Sequence, residues 1–144
     1  ELFRPIKNKI RTFMKLTIPF YLHKVGAGFP SPATDYIEDD IDLNSHLITN
    51  PPATFIIRVQ GKSMTNVGIY DGDLLIVDKS LNPKNFSTVI ANINEELVVK
   101  TLVKSNGTNY LTSGSKNVLD KINLKNNTEI TIWGVVTYVI HKQK

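Results

Sequence analysis

The sequence predicts a mainly β protein: a folded, barrel-like sheet preceded by a flexible N-terminal arm. Three observations carry this expectation. From Phe55 to the C-terminus, the 144-residue chain is a series of short apolar and β-branched runs separated by turn residues. No long helical apolar period occurs in that region. Basic residues concentrate ahead of it: residues 1–27 carry six basic side chains against one acidic, a net of +5, whereas residues 28–144 carry eleven against twelve. The length suits one domain with a real hydrophobic core, so the chain divides into a basic arm, 1–27, and a β domain, 28–144.

Taken in order, the arm shows Phe3, Ile6, Ile10, Phe13, Met14 and Leu16 at roughly helical spacing between basic residues, with Pro19 ending any such helix. Such a stretch can lie on a membrane surface; packing on its own protein is the favoured reading. Residues 28–54 are rich in Pro, Asp and Thr and read as loop, with a short helix around Asp42 to Ile48 stopped by Pro51-Pro52. Glu38, Asp39 and Asp40 read as a solvated acidic loop, since no histidine or distant carboxylate keys to them. Phe55–Val59 is then a strand. Asp71-Gly72-Asp73 is a turn, and Leu74–Val77 a buried strand. Ser80–Asn85 is a loop. Thr88–Ile93 and Leu97–Val103 flank Asn94-Glu95-Glu96 as a hairpin. Tyr110–Thr112 is a further strand, Lys116–Asn127 a polar connection, and Glu129–Ile140, full of β-branched and aromatic residues, the last strand.

Composition removes several function classes. There is no cysteine, hence no disulfide, thiolate nucleophile or zinc–thiolate site. His23, His46 and His141 have no metal-ligand spacing and read as ordinary histidines, so no metal or cofactor is expected. The near-neutral body has no charge excess to grip phosphate, which disfavours direct DNA binding by it. No segment reaches transmembrane length. Val25-Gly26-Ala27 mimics a signal-peptidase site, but Lys15, Pro19, His23 and Lys24 interrupt any apolar core before it, so secretion is rejected.

Two stretches bear on chemistry. Gly61-Lys62-Ser63-Met64 follows a strand, and glycine lets the chain leave that strand sharply with a hydroxyl just beyond the bend. Ser63 there is either a helix N-cap or a group facing a cleft. Lys100 lies within the apolar strand Leu97–Val103, sharing a face with Val98 and Leu102. It is either an edge-strand lysine that blocks aggregation or a desolvated amine. A neutral lysine beside a serine is a known substitute for the histidine of a triad. The pair needs one apolar pocket, with the two groups within hydrogen-bond reach, and donors for an oxyanion, for which the backbone amides of Lys62 and Ser63 are the candidates.

Three blocks, in this order, give the chain a specific likeness. They are Ala27-Gly28-Phe29-Pro30-Ser31-Pro32-Ala33; Gly61-Lys62-Ser63-Met64 with Gly68–Asp78 behind it; and Val98-Val99-Lys100-Thr101-Leu102. Trp133-Gly134-Val135-Val136 adds a fourth. Together they resemble the UmuD family, the short members of the LexA-like self-cleaving serine peptidases. The chain departs from UmuD in having Ala27, as LexA repressors do, where UmuD has cysteine, and in lacking proline between Tyr110 and Val118. The resemblance implies a LexA- or signal-peptidase-like folded sheet. It also implies self-cleavage between Ala27 and Gly28, with Ser63 as nucleophile and Lys100 as general base. It further implies a cytoplasmic homodimer made in the DNA-damage response. Cleavage would be stimulated by a RecA filament on single-stranded DNA. The processed form, Gly28 to Lys144, would join a UmuC-type DNA polymerase in translesion synthesis, without sequence-specific DNA binding, membrane or cofactor. Cutting there would remove the basic arm.

The alternative is the C-terminal part of a LexA or phage-type self-cleaving repressor. The 27 residues before Gly28 are too few for a helix-turn-helix domain, although the chain does not begin with Met. A signal peptidase-like enzyme acting in trans would want a membrane anchor, and a non-cleaving regulator would want a damaged dyad.

Overall fold

A computed structural model describes residues 16–21, 26, 37–114, 121–126 and 129–144. The helical period of the arm before Leu16, and Ala27 and Gly28, lie outside the described residues. The chain forms two compact units, Glu1–His46 and Leu47–Lys144.

In the first unit, β1 (Ile18–Tyr21) pairs antiparallel with β2 (Ile37–Ile41), with Ile18 opposite Ile41 and Pro19 opposite Asp40. The acidic stretch expected as loop is therefore strand. Both members of a two-stranded ribbon are edges, which is where proline and charged residues are tolerated in a sheet, so pairing overrides their low propensity. The expected short helix follows as α1 (Leu43–Leu47). Asp42 starts it, accepting from the Asn44 amide at 3.1 Å and the Ser45 hydroxyl at 2.9 Å.

The second unit is one antiparallel sheet. Its strands are β3 (Thr54–Arg58), β4 (Leu74–Asp78), β5 (Thr88–Ile93), β6 (Glu96–Ser105), β7 (Thr108–Thr112), β8 (Ile122–Asn123) and β9 (Ile130–Ile140), in the order β3-β4-β9-β5-β6-β7-β8. The mainly β class and the expected strands stand. β8, paired to β7 through Leu111 and Ile122, corrects the reading of 116–127 as plain connection. The turn of the first hairpin is Asn94-Glu95, both at positive φ, with Glu96 already in β6. A second tight turn, Asn106-Gly107 (φ +50 and +75), joins β6 to β7. Positive φ at both central residues matches the right-handed twist of the flanking strands.

The sheet is covered on both faces around β5. Ile90 joins Val59, Met64, Ile69, Leu75 and Val77 in one cluster. Its neighbours Val89 and Ala91 point the other way, to Leu102 and Leu111. This explains why β4 and β5 read as continuous apolar runs rather than alternating ones. Register shifts between Ile76 and Val77 and between Ile90 and Ala91, both against β9, bend the sheet. Gly134 lies at the second shift, where a Cβ would stand 2.6 Å from Val77 Cγ1. Buried Asp78 binds this end of the sheet together, accepting from the Ser80 hydroxyl and amide and from Asn50 Nδ2. The Ser80 hydroxyl, then Asn50, hold its carboxyl below the ordinary value against the opposing effect of burial.

Candidate active site

β3 leads into the site, and the turn beyond it is anchored at almost every residue. The Val59 amide donates to Asp73 O and its carbonyl accepts from the Gly72 amide, both at 2.8 Å. Gly61, at φ +98, reverses the chain in a conformation that suits glycine. Its amide donates to Asp71 Oδ1 at 2.7 Å. The carbonyl of Lys62 accepts from the Thr65 hydroxyl at 2.7 Å and from the Thr65 amide at 3.3 Å. Met64, 2% exposed, plugs the turn into the core. Ser63, between these fixed points, is exposed.

Ser63 does not cap a helix. The N-cap of the 3-10 turn Thr65–Val67 is Met64, which makes no side-chain capping bond. Among the described residues, neither the Lys62 amide nor the Ser63 amide has a hydrogen-bond acceptor. Both remain available to a ligand oxygen.

Lys100 is half-buried on β6, directly opposite Val89, which is fully buried. β6 is an interior strand, but β7 covers it only from Thr101 onward. Among the described residues, Glu96–Lys100 pair on one side alone, with β5. The lysine therefore stands where an interior strand opens an edge. Its Nζ donates to Ser113 Oγ at 2.9 Å.

The open edge of β6 and the turn after β3 face one cavity of about 330 Å³. Ile57, Val59, Gly61, Ser63 and Met64 line it on one side, Leu97–Lys100 on the other, and Ile90 contributes from β5. Ser63 and Lys100, distant in sequence, thus share one partly apolar cavity. Lys62 is exposed beside it. Among the described residues, no cluster of three or more His, Asp or Glu side chains is arranged to hold a metal, and no helix is long and apolar enough to cross a membrane.

A second support lies behind the turn. Asp73, 3% exposed, meets His141 Nδ1 at 2.5 Å and accepts from the Tyr70 amide at 2.8 Å. Burial pushes its carboxyl up, but the Tyr70 amide and the hydrogen bond and charge of His141 outweigh it and hold the group below its ordinary value. His141, expected as an ordinary surface or partly buried histidine, is thus the partner of Asp73. Its ring also packs on Tyr70 at 5.1 Å. Sequence reasoning missed Asp71, Thr65 and Ser113. The first two act on the backbone, so no spacing signals them. Ser113 was legible in principle from strand register, had the Asn-Gly turn been used to set it.

Comparison with known proteins follows the same lines. A family model described as Peptidase S24-like matches residues 19–137. Protein ImpA of Escherichia coli is 40% identical over 135 residues, covering 88% of this chain and 85% of that protein. Protein MucA of Escherichia coli is 38% identical over 122 residues, covering 85% and 83%. A LexA repressor of Shewanella denitrificans is 36% identical over 98 residues, covering 68% of this chain and 47% of the repressor.

Proposed function

The chain belongs to the Peptidase S24-like family, and on that premise we propose that it is a self-cleaving serine peptidase of UmuD type, cutting its own chain between Ala27 and Gly28. The observation that carries this reading is the shared cavity: Ser63, on a rigid turn, and Lys100, on a strand that is paired on one side alone among the described residues, both line it, together with apolar neighbours.

The chemistry follows from the two groups. Lys100 in its neutral form takes the Ser63 proton as Oγ attacks the carbonyl carbon of Ala27. The resulting oxyanion accepts from the amides of Lys62 and Ser63. When the intermediate collapses, the carbon–nitrogen bond breaks, and the ammonium of Lys100 returns the proton to the departing amine of Gly28. Water, deprotonated by Lys100, then hydrolyses the ester on Ser63. Among the described residues the edge of Glu96–Lys100 away from β5 has no strand partner, and such an edge suits an extended peptide, which can add to it as a strand.

Incubation at alkaline pH tests this reading, because the base must be neutral to accept a proton. The expected product, read by mass spectrometry, begins at Gly28. Ser63→Ala and Lys100→Ala should stay whole and folded. Cutting of Ser63→Ala at the unmutated rate would show that the dyad is misassigned. The remaining parts of the proposal are homodimer formation, stimulation by RecA filaments on single-stranded DNA and partnership of the processed form with a UmuC-type polymerase. Light scattering, cleavage with and without filaments, and co-purification test them in turn. The repressor alternative is favoured only by the LexA match, which has lower identity over less of this chain. The residues encoded immediately before Glu1 distinguish it.

A further inference from the structure

The Ser113-Gly114 segment touches both halves of the site, and neither residue is part of the dyad. Thr101 and Thr112 are the last register pair of β6 and β7. Continuing that register sets Ser113, one residue beyond β7, opposite Lys100. Side chains at opposed positions of an antiparallel pair share a face. The 2.9 Å bond from Lys100 Nζ to Ser113 Oγ is the result.

Gly114 then turns the chain at φ +72 and approaches the 3-10 turn that follows Ser63. A Cβ on Gly114 would stand 2.5 Å from Val67 Cγ1 and 3.2 Å from Asn66 Oδ1. Two consecutive residues therefore hold the base strand and abut the nucleophile turn.

A lysine side chain is long and rotamer-rich, so its amine has no fixed direction without a partner. A neutral amine has two N–H donors and one lone pair. Donating one N–H to Ser113 restricts where the lone pair points. We propose that Ser113 is a positioning residue for self-cleavage, holding the Lys100 amine in the orientation from which it takes the Ser63 proton. This rests on the dyad reading above.

The test compares first-order self-cleavage of Ser113→Ala and Ser113→Thr with the unmutated chain at one alkaline pH, alongside thermal unfolding of each. Ser113→Ala should cleave about 10–100-fold more slowly, the scale expected for a misplaced reacting group, with Tm nearly unchanged. Ser113→Thr restores the hydroxyl and should recover most of the rate. If Ser113→Ala unfolds readily, Ser113→Cys, similar in size but a weak acceptor, takes its place with the same expected loss. An unmutated rate for Ser113→Ala overturns the proposal. So does a threonine variant no faster than the alanine variant at equal Tm. Ser63→Ala and Lys100→Ala run beside them. If those two are inert while Ser113→Ala is unimpaired, only the positioning role fails. If Ser63→Ala is cut, the dyad itself fails, and the positioning role with it.

Discussion

Gly114→Ala offers a measurable test of how closely the segment after β7 is fitted against the nucleophile turn. Two separate costs are expected. An alanine at φ +72 carries the left-handed penalty of about 1–2 kcal/mol for an L-residue. Its Cβ would meet Val67 Cγ1 at 2.5 Å and Cγ2 at 3.1 Å. Carbon contacts relax near 3.5 Å, so one side must move by roughly 1 Å; overpacking of this kind costs about 1–3 kcal/mol. The single variant should therefore lose about 2–5 kcal/mol. Val67 is 42% exposed, so Val67→Ala alone should cost little, on the order of 0.5 kcal/mol. In the double variant, both clashing methyls are gone while the backbone penalty remains. Urea unfolding of all four proteins closes the cycle. The double variant should be more stable than Gly114→Ala, with a coupling of about 1–3 kcal/mol. Strictly additive costs would refute the argument, since they would mean that Gly114 and Val67 do not touch.

Two further outcomes follow from buried polar groups. Thr101 Oγ1 is buried and has no hydrogen-bond partner among the described residues; Thr101→Val should therefore raise stability in urea by about 1 kcal/mol, and a loss would mean that the hydroxyl is satisfied. The Asp73 carboxyl is held below its ordinary value near 3.8. Its contribution to stability is complete above that value and is lost as pH falls through the depressed folded-state value. His141→Gln removes one of the causes of that depression, so the acid-side loss of stability should shrink; an unchanged pH dependence would mean that the histidine contact does not hold in solution.

The strands were legible because their signals are local. Leu74–Val77, Thr88–Ile93 and Glu129–Ile140 announce themselves by apolar, β-branched content bounded by turns. β2 was not, because Glu38, Asp39 and Asp40 have little strand propensity of their own and became strand only by pairing with β1. β8 is two residues long and is likewise defined by its partner. The candidate site was half legible. Gly61-Lys62-Ser63-Met64 and Lys100 stood out by type and surroundings, but each kept an alternative: a cap for Ser63, an edge blocker for Lys100.

Residue order alone determined the chemistry on offer: no thiol, a serine just past a strand, a lysine inside an apolar strand, and positive charge gathered ahead of Gly28. Only the tertiary structure decided that the serine is no cap, that among the described residues Glu96–Lys100 of β6 pair on one side alone, that Ser63 and Lys100 line one cavity, and that the Lys100 amine donates to Ser113. The physical reason is range. Propensity and periodicity act within a few residues, whereas a shared cavity is set by strand order and register, which bring together groups that no local pattern relates.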